Sequence, residues 1–111
     1  MILYHNPQCS KSRATLALLQ EKGVAVQIIE YLKTPLNVAE LENVAQKLNL
    51  EPRQFMRHGE AEYANFTDEN LTRAELLEAI VKFPRLLERP IAVTEEKAVI
   101  GRPPENVLTL L

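Results

Sequence analysis

The sequence contains only one cysteine, Cys9, and only two histidines, His5 and His58, among its 111 residues. A single thiol cannot form an internal disulfide, so the fold is not cross-linked. So few sulfur and imidazole ligands also argue against a structural zinc site, which needs about four of them. We therefore expect no metal site, and we interpret Cys9 either as a small buried side chain or as a nucleophile.

Net charge and long apolar runs are also lacking. Thirteen basic and fifteen acidic residues leave a net charge of −2 at pH 7. A chain so close to neutral has no general attraction for nucleic acid, and no apolar run approaches the ~20 residues that span a bilayer. The first residues also lack the regions of a signal peptide. We expect a cytoplasmic protein, a monomer by default, that binds neither nucleic acid nor membrane.

The first third of the sequence predicts a strand, a loop, a helix and a second strand. Ile2–Tyr4 is β-prone and is followed by a turn at Asn6-Pro7. Helical spacing of apolar residues begins near Ser10, and Gly23 is placed to end that helix. The β-branched run 24–31 then predicts the second strand. A strand, a helix and a strand in this order are typical of a parallel pair.

The rest of the sequence predicts helices, then a hairpin, then a final helix. Two capping-box patterns place helix starts near residues 38 and 73, and a shorter helical piece is expected near residue 51. The predicted later elements are an irregular segment over 57–70, short strands over 89–93 and 97–100, and a helix over 105–111. We therefore predict one α/β domain over 1–111. Its fold is a thioredoxin-like, four-stranded mixed sheet with a helical insertion at about 38–83 between the βαβ and ββα halves.

Cys9 is expected between the first strand and the first helix. The unpaired N–H groups and the dipole of a helix start both favour a thiolate, and Lys11 and Arg13 add positive charge nearby. The same N–H groups can hold a tetrahedral oxyanion. Because the neighbours of Cys9 in sequence are polar, a buried apolar position is disfavoured, and the nucleophile is the better interpretation.

Ser12 stands where a disulfide oxidoreductase would carry its second cysteine. Its hydroxyl can donate to a thiolate but cannot resolve a mixed disulfide, so a redox cycle needs an external thiol such as glutathione. An ordinary first-turn residue explains Ser12 equally well. His5 either lies near the thiolate or makes a local hydrogen bond at the end of its strand.

Three arginines, Arg57, Arg89 and Arg102, are each expected near the start or end of an element. Guanidinium groups bind tetrahedral oxyanions through paired hydrogen bonds. Spacing alone does not distinguish these residues from other arginines, most of which lie on protein surfaces. Arg89-Pro90 is the exception, because a proline at that place in a thioredoxin arrangement is expected to be cis and to face the loop of the nucleophile.

Four blocks of the sequence resemble the glutaredoxin-dependent arsenate reductase family: YHNPQCSKSRATLALL, FMRHGE, RPIAVT and IGRPPENVLTLL. They cover nearly the whole chain in the family's order. The resemblance is strongest with a bacterial arsenate-reductase-like branch that carries HNPxCSKSR and IGRPPE. It implies a thioredoxin-like fold, a binding site for arsenate or a similar oxyanion, and the reduction of arsenate to arsenite.

The resemblance also implies the co-substrate, the protein partner and the roles of the site residues. Glutathione would be the co-substrate and glutaredoxin the protein partner, with no bound cofactor and no metal. The implied site residues are the nucleophile Cys9, its supports His5 and Ser12, the oxyanion-binding Arg57, Arg89 and Arg102, and the cis-proline Pro90.

Other functions use much of the same sequence. A thiol-dependent reductase of another substrate would keep Cys9, Ser12 and the arginines. A polymerase-binding redox regulator of this fold usually carries two cysteines, so the single cysteine argues against it. A folded domain without catalytic activity would have an ordinary, unreactive thiol at Cys9.

Overall fold

The computed structural model describes residues 1–111. Its strands are β1 Ile2–His5, β2 Gln27–Glu30, β3 Ile91–Val93 and β4 Ala98–Ile100. Its α-helices are α1 Ser10–Glu21, α2 Val38–Leu48 and α3 Arg73–Lys82. Short 3-10 helices cover Pro52–Phe55, Ala61–Phe66, Pro84–Leu86 and Pro104–Leu110. None of these helices is long and apolar enough to cross a membrane.

The four strands form one mixed sheet in the order β2-β1-β3-β4. β1 pairs in parallel with β2 and antiparallel with β3, and β3 pairs antiparallel with β4. The β-α-β half and the later hairpin therefore share a single sheet. This is the predicted thioredoxin-like arrangement, with the helical insertion between its two halves.

Several predicted elements differ in the structure, and β3 covers Ile91–Val93 instead of residues 89–93. β2 covers residues 27–30 instead of 24–31, because β1, its only neighbour in the sheet, offers four residues for pairing. The last helix is a 3-10 helix over Pro104–Leu110. The segment predicted to be irregular, 57–70, contains the 3-10 helix Ala61–Phe66.

The helix ends explain why the site forms at the start of α1. α2 and α3 begin at full capping boxes, in which the side chains of Asn37 and Thr72 accept backbone N–H groups. α1 begins differently, because its N-cap is Cys9 and no side-chain oxygen caps it. The first N–H groups of α1 are therefore free to donate to a ligand or to a thiolate at Cys9.

Apolar side chains fill both faces of the sheet. Successive strand residues point to opposite faces, so Tyr4 joins a large core with residues of α2 and α3, while Leu3 joins a smaller core with Leu19 and Val107. The insertion therefore covers one face. α1 and the C-terminal 3-10 helix cover the other, which places the start of α1 beside the ends of β1 and β3.

Candidate active site

Cys9 lies at the N-terminus of α1, directly after the turn at Asn6-Pro7. Its backbone N–H donates to the carbonyl of Asn6 over 3.0 Å, and its own carbonyl accepts the N–H of Arg13 over 3.0 Å. These bonds fix the backbone on both sides of the residue. The residue is 8% exposed, so Cys9 is buried in spite of its polar sequence neighbours.

Ser12 links the first turn of α1 to the end of β1. Its Oγ lies 2.6 Å from Nδ1 of His5 and accepts the backbone N–H of Asn6 over 3.0 Å. Burial lowers the pKa of His5, with the charge of Glu30 acting in the opposite direction. The Nδ1 atom of a neutral His5 can accept a hydrogen bond from the hydroxyl of Ser12. The structure therefore brings His5 and Ser12 together, and the hydrogen bonds of Ser12 support the loop of Cys9 rather than its sulfur.

Arg102 is the arginine that contacts the thiol. Its Nη1 lies 3.9 Å from Sγ of Cys9 and donates to the carbonyl of Arg89 over 3.1 Å. Close packing around Gly101 brings this loop to α1. A Cβ on Gly101 would lie 2.6 Å from Oγ1 of Thr15 and 2.8 Å from Cγ of Pro90, so only glycine fits without rearrangement.

Arg89 precedes a cis proline, as predicted for the Arg89-Pro90 bond. A second cis bond, Arg102-Pro103, was not predicted. The guanidinium of Arg89 is unusual, because its Nε and Nη1 are buried and have no hydrogen-bond partner. Buried donors are almost always paired, so unpaired cationic donors indicate a place for an anion.

Arg57 is held from two sides by carboxylates. It forms an ion pair with Glu60, and its Nε lies 4.0 Å from Oε1 of Glu88. The other oxygen of Glu88, Oε2, lies 3.6 Å from Nε of Arg102. Glu88 thus joins two of the three predicted arginines. Sequence reasoning missed Glu88, although its place directly before Arg89-Pro90 was an available signal.

A cavity of about 250 Å³ opens beside the loop of Cys9. We call it the inner cavity. Its lining residues are Asn6, Gln8, Tyr31, Leu32, Arg57, Glu60, Arg85 and Arg89. Two of the three predicted arginines therefore line the inner cavity, and the third lies at the thiol.

Tyr31 is a further candidate that sequence reasoning missed. Burial raises the pKa of its phenol, the charge of Arg57 opposes this shift, and the charge of Cys9 adds to it. The phenol therefore stays protonated and can donate a hydrogen bond to an anion. The available signal was topological, because Asn6 and Tyr31 directly follow the ends of two parallel strands, where ligand sites of α/β sheets lie.

The site holds positive charge and donors rather than metal ligands. No group of three or more His, Cys, Asp or Glu side chains is arranged to hold a metal ion. Three arginines, Arg57, Arg85 and Arg89, and the phenol of Tyr31 line the inner cavity beside the loop of Cys9, and Arg102 lies at the Cys9 sulfur. This arrangement can bind a small tetrahedral anion and attack it with a thiolate.

Comparison with known proteins gives consistent matches over the whole chain. The sequence model of the ArsC family matches residues 4–110. An arsenate reductase of Haemophilus influenzae is 47% identical over 100% of this chain and 98% of its own length. The protein YfgD of Escherichia coli, described as uncharacterized, is 46% identical over 98% of this chain and 94% of its own length. The solved structure of an arsenate reductase from Vibrio cholerae has a TM-score of 0.96 and 48% identity, covering 99% of this chain and 96% of the other.

Proposed function

The chain belongs to the ArsC family, and from that membership we propose that it reduces arsenate to arsenite, with Cys9 as the nucleophile and with glutathione and glutaredoxin as reductants. Relatives named arsenate reductase at 44–47% identity support the reaction. The observation that carries the proposal is the guanidinium of Arg89, whose buried donors have no partner in the wall of the inner cavity. A tetrahedral oxyanion supplies the missing acceptors.

Activation of Cys9 follows from its surroundings. A thiolate at the start of α1 faces uncapped N–H groups and lies beside the cation of Arg102, 3.9 Å away. Both interactions stabilise the charged form of a thiol. His5 and Ser12 act through the backbone of the loop, because the hydroxyl of Ser12 binds His5 and Asn6.

The first step is displacement at arsenic. The sulfur of Cys9 forms a bond to arsenic(V), and one arsenate oxygen leaves as water after it is protonated. Arg57, Arg89 and the phenol of Tyr31 line the inner cavity and can hold the remaining oxygens. Donors aimed at charge that develops in a transition state contribute about 3–4 kcal/mol each in other enzymes.

The electrons must come from outside the chain, because Cys9 is its only cysteine. In the proposed cycle, the thiol of glutathione displaces a second oxygen as water and forms a second sulfur bond to arsenic. A glutaredoxin thiolate then attacks the glutathione sulfur and forms a mixed disulfide. The electron pair of the broken arsenic–sulfur bond stays on arsenic, which becomes arsenic(III). Hydrolysis of its bond to Cys9 releases arsenite and restores the thiolate.

The experiment is arsenate-dependent oxidation of NADPH, coupled through glutathione reductase, glutathione and glutaredoxin. We expect turnover by the wild type, none by Cys9→Ser, and a KM for arsenate raised about tenfold or more by Arg89→Gln. Arg73→Gln is the matched control, since Arg73 pairs with Glu42 and Glu51 on the insertion. Absence of turnover, with a Cys9 that still alkylates rapidly, would contradict arsenate as the substrate and leave another thiol reductase or a regulator.

A further inference from the structure

A second cavity, of about 380 Å³, adjoins the inner cavity and shares Leu32 and Arg85 with it. We call it the outer cavity. Its other lining residues are Glu62, Lys82, Phe83 and Pro84. They come from the 3-10 helix Ala61–Phe66, the end of α3 and the start of the next 3-10 helix. The outer cavity is thus built by the helical insertion, by Pro84 and Arg85 directly after it, and by the loop after β2.

Charges of both signs in the outer cavity lack partners. Oε2 of Glu62 is buried and accepts no hydrogen bond. Neither Arg85 nor Lys82 takes part in any ion pair of the chain. Nζ of Lys82 lies 5.5 Å from the centroid of the Phe83 ring, which leaves its hydrogen-bond donors available. A buried carboxylate oxygen without a donor is costly, so this arrangement favours a ligand that brings one.

A ligand that satisfies both signs must itself carry both. A simple anion would pair with Arg85 and Lys82 but would be repelled by Glu62 and would leave its oxygen unpaired. An α-amino acid group carries an ammonium and a carboxylate on the same carbon. The ammonium can donate to Glu62 while the carboxylate accepts from Arg85 and Lys82.

We propose that the outer cavity binds the γ-glutamyl end of glutathione, with its ammonium on Glu62 and its carboxylate on Arg85 and Lys82. This assignment rests on the proposed function, which requires a thiol co-substrate. Because Arg85 borders both cavities, a ligand anchored on it lies at the opening of the inner cavity. A tripeptide reaches roughly 10 Å when extended, so its cysteine can extend from this anchor toward the arsenic held in the inner cavity.

Binding is measured without turnover by titrating the isotope-labelled protein with S-methylglutathione, whose sulfur cannot react. We expect chemical-shift changes centred on Leu32, Glu62 and Arg85. Glu62→Gln and Arg85→Gln should each weaken binding about tenfold, the loss expected for one charge-assisted contact. Glu78→Gln, which removes an exposed carboxylate from α3 outside the cavity, should leave binding unchanged.

The ammonium contact has its own test. S-Methylglutathione without its α-amino group should bind the wild type about tenfold more weakly than the complete compound. Glu62→Gln should bind the two compounds equally. A wild type that does not distinguish them, or a Glu62→Gln variant that still does, would overturn the assignment.

Kinetics separate this assignment from the proposed function. In the coupled assay, Glu62→Gln should raise the KM for glutathione and leave the KM for arsenate unchanged. If S-methylglutathione binding depends on Glu62 but the protein does not turn over arsenate, the glutathione site is supported and only the arsenate reaction is contradicted. Turnover with an unchanged KM for glutathione in Glu62→Gln, or no shift changes up to about 10 mM ligand, would overturn the outer cavity alone.

Discussion

Oε2 of Glu88 lies 3.6 Å from Nε of Arg102, the arginine whose Nη1 reaches the thiol of Cys9. The other oxygen of Glu88 faces Arg57 at 4.0 Å. The proposed anion site therefore contains a carboxylate, Glu88, between two of its cations, Arg57 and Arg102. This carboxylate offsets part of their charge and holds Arg102 in the orientation that reaches the sulfur.

Replacing Glu88 should separate two effects: the orientation of Arg102 and the attraction of arsenate by the arginines. Glu88→Gln keeps the shape of the side chain but removes its charge, so Arg57 and Arg102 attract arsenate more strongly while Arg102 is less firmly placed. We expect kcat to fall about tenfold and the KM for arsenate to fall as well. Steady-state kinetics with varied arsenate measure both, and Glu95→Gln in the exposed β3–β4 turn is the control. An unchanged kcat with a raised KM would mean that Glu88 does not position Arg102.

Arg102→Lys should show that the shape of the guanidinium matters as well as its charge. The arginine contacts the Cys9 sulfur, the Arg89 carbonyl and Glu88 at once, and a single ammonium cannot reproduce these three contacts. We expect kcat to fall about 100-fold and alkylation of Cys9 by iodoacetamide near neutral pH to slow. Arg73→Lys on the insertion should change neither rate. Equal alkylation rates in Arg102→Lys and the wild type would contradict a role at the sulfur.

Gly101→Ala should destabilise the fold. The new methyl group would stand 2.6 Å from Oγ1 of Thr15 and 2.8 Å from Cγ of Pro90, and Thr15 is fully buried. We expect the free energy of unfolding to fall by about 1–3 kcal/mol, as measured by urea denaturation. Gly59→Ala is the matched control, because a Cβ there meets nothing within 4 Å. Adding Thr15→Ala should restore part of the loss, and a loss of stability that Thr15→Ala does not reduce would rule out this clash.

The stability of the protein should depend on pH through His5. Burial holds the pKa of His5 below the 6.5 of a free imidazole, so between these two pKa values the unfolded chain binds more protons than the native one. The free energy of unfolding should therefore rise as pH increases through this window, and should fall as pH decreases because the buried ring must charge. Urea denaturation at several pH values should give a shallower slope for His5→Gln than for the wild type. Equal slopes would show that burial does not hold His5 neutral.

Much of the fold could be predicted because its signals are local. The capping residues Asn37 and Thr72 and the helix-ending Gly23, at a φ of +71°, act within a few residues of themselves. The length of β2 could not be predicted in the same way, because it depends on the four residues that its neighbour offers.

The candidate site likewise contains residues that a local motif predicts and residues that only the three-dimensional structure reveals. Cys9 and Ser12 stand in one short motif, and Arg57, Arg89 and Arg102 were selected through the family resemblance; their roles stay predictions. Tyr31, Glu88 and Arg85 belong to no local pattern. They reach the site because the end of β2, the residues before β3 and the end of the insertion meet at one edge of the sheet, and only three-dimensional pairing shows this.

The separation of 93 residues between Cys9 and Arg102 has a consequence for how the protein is made. Synthesis begins at the N-terminus, so the nucleophile is translated long before the arginine that contacts it. A chain interrupted anywhere between residues 9 and 101 carries the cysteine but not Arg102. The contact between Arg102 and the Cys9 sulfur therefore forms only in a chain that is complete to its last residues, and unfinished or C-terminally degraded chains lack it.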